Sequence, residues 1–161
     1  MFSNQKELSF KESSRLLFAQ VDALKDSLYA DLKERFKQDN TITEQEQKWK
    51  LAIMVSSIST ALFSSSLVGN KEYPVLYTYF KIKINEYDSN GEAALEDCMG
   101  LIADLMARSE YDPGPFTDTI AMWLYFHMRG KEELVLEESA AYMLVAQFIH
   151  NNFYNWFDSA R

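Results

Sequence analysis

The sequence predicts an all-α fold: a single-domain bundle of about six helices over residues 1–161, with a long antiparallel N-terminal hairpin and buried central helices. Three observations predict it. Five Gly and three Pro in 161 residues leave too few turns for an all-β fold. Apolar residues recur at helical spacing along most of the chain. Three Ser/Thr-x-x-Glu patterns, Ser9–Glu12, Thr43–Glu46 and Ser89–Glu92, match the capping box that opens a helix. Hydrophobic residues at 47% and charged residues at 25% suit a folded chain rather than a disordered one.

The first helix is expected over 10–38, where Phe10, Leu17, Val21, Leu24, Leu28 and Leu32 form one stripe. A short polar break, QDNTI, leads to a second helix over 44–68 that stops at Gly69-Asn70. Two helices of similar length with a short connection make an antiparallel hairpin. The second contains nineteen positions, 51–69, without a charged side chain. Seven of them are Ser or Thr, a poor surface to turn toward lipid, although each hydroxyl can bond back to its own helix. A buried core helix is therefore expected here, not a membrane span.

Segment 73–87 reads two ways. Tyr73, Leu76, Tyr77, Phe80, Ile84 and Tyr87 make a helical stripe, while Phe80 to Ile84 alternates as a strand would. Helix is favoured because no second run of matching character offers a strand partner. The fourth helix spans 90–110, with Leu95, Met99, Ile102 and Met106 inward and Asp97 and Asp104 outward. Asp112-Pro-Gly-Pro115 breaks the chain. A fifth helix over 116–128, apolar almost all round, belongs in the middle of the bundle and ends at Gly130. The last is expected over 131–157, docked through Leu134, Ala141, Val145, Phe148, Ile149 and Trp156.

Net charge is −8, and all of the excess lies beyond residue 50. Glu86, Asp88, Glu92, Glu96, Asp97, Asp104, Glu110, Asp112 and Asp118 face a single basic residue, Arg108, across 86–118. Such a band repels phosphate, which argues against nucleic acid as a direct partner and suits a basic protein. MFSNQKELSF lacks the basic and apolar regions of a secretory signal, and one cysteine cannot form an internal disulfide, so a soluble cytoplasmic protein is expected.

Motifs for chemistry are missing. Neither His127 nor His150 has an acid three positions earlier, as a di-iron bundle requires. Asp88-Ser-Asn-Gly-Glu92 fails as a calcium loop, because Ala93 and Met99 stand where Gly and Glu are needed. No Gly-x-Ser-x-Gly elbow or Gly-rich phosphate loop occurs, and Cys98 falls beside the Leu95/Met99 stripe as a small buried hydrophobe. No metal, cofactor or catalytic residue is assigned. His127 is expected as a packed histidine whose charged form gains from the helix C-terminus, and His150 as half-exposed.

Two classes of function follow. The leading one is a non-enzymatic acidic interaction protein that binds and masks a basic protein, of the inhibitor, toxin-neutralising immunity protein, chaperone or adaptor type. Its contact residues would be Glu86, Asp88, Glu92, Glu96, Asp97, Asp104, Glu110, Asp112 and, as an aromatic anchor, Tyr154. The alternative is an apolar-ligand binder or helical enzyme with a pocket among Trp123, Tyr125, His127, Tyr142 and His150. A self-associating structural component is a third. Because Asp97 and Asp104 face outward, replacing both with Lys is expected to leave folding unaffected.

Overall fold

The computed structural model describes residues 2–107, 116–130 and 135–158, and side chains from residue 10 onward. Seven α-helices and no strand occur among them: α1 (Phe2–Arg35), α2 (Asn40–Thr43), α3 (Glu46–Ser64), α4 (Glu72–Tyr87), α5 (Gly91–Met106), α6 (Phe116–Arg129) and α7 (Ala140–Phe153). Short 3₁₀ turns at Leu136–Glu138 and Trp156–Asp158 flank α7. Segment 73–87 is helical: α4 buries Leu76, Phe80 and Ile84 and leaves Ile82 at 56% exposure, so the alternation around Lys81 and Lys83 is not a buried-face pattern.

Helix α3 is the axis of the bundle. Every residue from Leu51 to Leu62 is buried, and α1, α4, α5, α6 and α7 all pack against it. The buried hydroxyls of Ser56, Ser57 and Thr60 are tolerated in the core because they bond within their own helix, whereas Ser59 Oγ is buried and makes no such bond. Ser56 donates to Ala52 O at 2.7 Å, Ser57 to Ile53 O at 2.7 Å and Thr60 to Ser56 O at 2.8 Å. Among the described residues no helix is long and apolar enough to cross a membrane. Antiparallel pairing of α1 with α3 is visible where Lys50, in the first turns of α3, meets Asp26 of α1 at 2.9 Å. Leu17, Val21, Leu28 and Leu32 of α1 are buried, as their stripe predicts.

None of the three expected capping boxes opens a helix. Ser9 lies within α1, which begins seven residues earlier at Phe2. Thr43 closes α2, which is capped instead by Asp39, whose carboxylate accepts the Thr41 N–H at 2.9 Å. α3 begins at Glu46, after Gln45, without a side-chain cap. Asn90, not Ser89, precedes α5, and the turn is held by Asp88, whose carboxylate accepts the Asn90 N–H at 2.8 Å.

The C-terminal region is not one helix. Residues 131–134, including Leu134, lie outside the described residues, and α7 ends at Phe153. Tyr154 is extended and Asn155 takes φ 59°, which redirects the chain. That turn buries Phe153 and Trp156 at 1% exposure each, and Phe148 of α7, expected inside, is 39% exposed. It also explains why α3 stops at Ser64 rather than at Gly69. Ser64 Oγ accepts the Asn155 N–H at 2.7 Å, and Asp158 accepts both the Ser66 N–H and hydroxyl, so the returning chain occupies the polar groups at the end of α3. Met106, also expected inside, ends α5 and is 41% exposed.

Gly130 ends α6 as expected, with φ 64° and its N–H donating to Phe126 O at 2.8 Å.

Candidate functional site

Helix α5 puts its apolar side, Leu95, Cys98, Met99 and Ile102, against the core. The opposite side follows from the 3.6-residue period: Glu92, Glu96, Asp97 and Asp104 are all exposed, and α5 has no Lys or Arg. Lys81 of α4 approaches Glu96 at 3.6 Å, and Lys83 approaches Glu86 at 3.6 Å. Such long, solvated pairs contribute little and leave the acids open to a stronger partner. Asp88 is half-buried, its second oxygen accepting from Gln47 Nε2 at 3.1 Å. Glu110 and Asp112 lie outside the described residues, as does Arg108.

Beside this face a groove of about 550 Å³ opens between the first turns of α3, the start of α5 and the end of α6. Leu51 and Ala94 form its apolar floor, and Lys48, Asp88, Asp97 and His127 are its charged and ionisable walls. Asp97 has a second duty. Its Oδ2 accepts the indole N–H of Trp123 at 2.9 Å, and Trp123 is 2% exposed. The expectation that replacing Asp97 barely changes folding rested on its facing outward; Asp97 is exposed, and it also supplies the acceptor for a buried donor.

His127 stacks on Trp123, ring centroids 4.7 Å apart and planes at 17°. Burial, reinforced by Lys48 and opposed by Asp97, lowers the imidazole below its ordinary value, so the neutral form is favoured. The expected gain of the charged form from the helix C-terminus is outweighed. Cys98 is fully buried, and burial raises its thiol to about 12, which removes thiolate chemistry at neutral pH.

The five residues of the expected ligand pocket fall in three places. Trp123 and His127 stand together beside the α5 groove. Tyr125 and Tyr142 are core residues: their rings meet edge to face at 5.2 Å, and Tyr142 stacks on Trp49 at 5.2 Å. The Tyr125 hydroxyl donates to Glu138 at 2.9 Å, and burial raises Tyr142 to about 12. His150 lies against Tyr154, ring centroids 4.3 Å apart, with its Nδ1 buried and without a hydrogen-bond partner. Tyr154 in turn meets Phe116 at 5.6 Å, so it packs between α7 and α6 and not on α5.

The groove includes residues that sequence reasoning passed over. Gln47, Lys48 and Asn90 line it, and no local pattern marks them, because they come together only when α3, α5 and α6 pack. Among the described residues, no three His, Cys, Asp or Glu side chains converge to hold a metal ion. No protein-family model, curated protein or solved structure matches the chain.

Proposed function

We propose that this protein is a non-enzymatic, cytoplasmic binding module that uses the outer face of α5 to engage and mask a basic surface on a partner protein. The observation that carries this reading is the exposure of Glu92, Glu96, Asp97 and Asp104 along one helix that has no basic residue of its own. An array of one sign on a rigid helix steers a cationic partner and fixes its register. The groove at the N-terminal end of the same helix supplies the concave, partly apolar ground that a charged rim lacks. Inhibition, neutralisation or chaperoning would each follow from occupancy alone, with no reaction at the site.

The test uses the full chain and a Glu92→Lys/Glu96→Lys/Asp104→Lys variant as paired baits in native lysate, with low- and high-salt washes. A stoichiometric basic protein retained by the wild type, released by salt and lost with the variant supports the reading. Equal capture by both baits, or no basic protein on either, overturns it. Circular dichroism of the variant, expected unchanged for three exposed positions, shows that the fold is intact.

A further inference from the structure

We propose that the groove between α3, α5 and α6 is an arginine-binding site, in which a guanidinium group stacks on His127 and hydrogen-bonds to Asp97. The inference rests on the reading of α5 as the face for a basic partner and names the side chain that would anchor it.

Three features define the chemistry. First, Trp123 stacks on one face of His127, and the imidazole also lines the groove, so what it offers a ligand is the part that Trp123 does not cover. A flat, delocalised cation completes such a layered stack, whereas a compact, strongly hydrated ammonium does not. Second, Asp97 stands on the α5 wall of the groove with its orientation set by the Trp123 N–H at 2.9 Å, and Asp88 stands on the α4–α5 connection, held by Gln47 and by the Asn90 backbone. Both carboxylates are positioned before a ligand arrives, and a carboxylate oxygen accepts more than one hydrogen bond. Third, the floor of Leu51 and Ala94 is apolar and suits the methylene stem of an arginine. A volume of about 550 Å³ accommodates the whole side chain.

Charge selects among cations. Among the described residues, the ionisable groups acting on His127 are Lys48 from α3 and Asp97 from α5, and Asp88 lines the same groove; the neutral imidazole adds no repulsion of its own. Lys48 is exposed and lines the groove, and it opposes any cation that enters. It acts as a filter: weak, solvated cations are excluded, and only a ligand that gains both the stack and the carboxylate bond overcomes it.

The experiment is an NMR titration of the full chain with N-acetylargininamide, following the Trp123 indole N–H and the His127 ring signals. N-acetylcitrullinamide, the neutral near-isostere, and N-acetyllysinamide are the controls. The arginine amide is expected to shift both residues saturably, the lysine amide about tenfold more weakly, and the citrulline amide not at all. Asp97→Asn, which keeps an acceptor for Trp123, should weaken arginine binding about tenfold, and Lys48→Ala should strengthen it. Equal shifts with citrulline and arginine amides, or no shift by about 50 mM arginine amide, would overturn the site. Lys48→Ala changes an exposed residue and keeps the test decisive if Asp97→Asn fails to fold. Failure here is separable from failure of the proposed function: salt-dependent capture lost in the Glu92/Glu96/Asp104 variant, with no arginine-amide binding, leaves the acidic face standing without its anchor.

Discussion

The indole N–H of Trp123 donates to Asp97 Oδ2 at 2.9 Å, joining a buried side chain on α6 to an exposed carboxylate on α5. The other two tryptophans do the same kind of work at other joints. Trp49 donates to Thr41 O at 3.0 Å, tying α3 to α2, and Trp156 donates to Ser13 O at 3.0 Å, tying the C-terminal turn to α1. Each buries a large apolar ring and spends its single polar group on a long-range or cross-element acceptor.

From the Trp123 bond follows the first prediction. Asp97→Ala removes the acceptor of a buried donor and should destabilise the fold by about 1 kcal/mol, the lower part of the usual range because water can reach the exposed side of the pair. Asp97→Asn should restore most of that loss. Paired urea melts check the order, and equal midpoints for the Ala variant and the wild type would show that the bond contributes nothing.

Titration of His127 gives a second prediction. Its folded-state value is lowered, chiefly by burial, then by Lys48, against the attraction of Asp97. The unfolded chain therefore binds a proton more readily than the folded one in the window just below the ordinary imidazole value of 6.5. Stability associated with this group is present at higher pH and is lost as pH falls through that window. His127→Gln should flatten this part of the stability–pH curve, and Lys48→Ala should move the imidazole back toward its ordinary value, read by proton NMR of the ring.

How much of this was legible beforehand depends on the distance over which each feature is encoded. Stripes such as Leu17-Val21-Leu28-Leu32 are local, and they identify both the helices and their buried faces. The charge-free run in α3 was readable as a core helix because seven Ser and Thr residues make a poor lipid-facing surface, and Ser56 and Thr60 are accommodated inside by bonds to their own helix. Capping boxes misled because Thr43 is taken up in α2, whose cap is Asp39, while α3 starts without a side-chain cap, and because Asp88 holds the turn before α5 where Ser89 was expected to. The acidic outer face of α5 follows from the helical period, but the groove beside it does not. Lys48, Asp97 and His127 come from three helices, and no short-range pattern links them. The break after Phe153 was hidden for the same reason, since Ser64, Ser65 and Ser66 become its partners only after folding.

Trp156 supports a third prediction. It is 1% exposed, packs near Phe153 with ring centroids 5.9 Å apart and closes the C-terminal turn onto Ser13. Trp156→Ala should cost about 3–5 kcal/mol, whereas Trp156→Phe keeps most of the buried ring and should lose only about 1–2 kcal/mol. For a chain of this size each kcal/mol corresponds to about 2–4 °C in melting temperature. Calorimetry that finds the two variants equal would assign the stabilisation to the Ser13 bond instead of the buried ring.

Two glycines in the same helix should respond to alanine with opposite signs. Gly91 opens α5 where the chain passes the end of α4, and a Cβ built there would lie 2.6 Å from Ile84 O and 2.8 Å from Ile84 C. Both are backbone atoms, and Ile84 O already accepts the Asp88 N–H at 3.0 Å, so the neighbour cannot rotate away as a side chain would. Gly91→Ala must push α4 and α5 apart and should destabilise by about 1–3 kcal/mol. At Gly100, in the exposed middle of α5, a Cβ would meet nothing within 4 Å. There alanine only restricts the unfolded chain and improves helix propensity, so Gly100→Ala should stabilise by about 0.5–1 kcal/mol. Because the two positions share one helix, a common change in its propensity cannot produce the split. Denaturant melts that move both variants in the same direction would contradict the close α4–α5 approach at Ile84, and with it the placement of Asp88 on the groove wall.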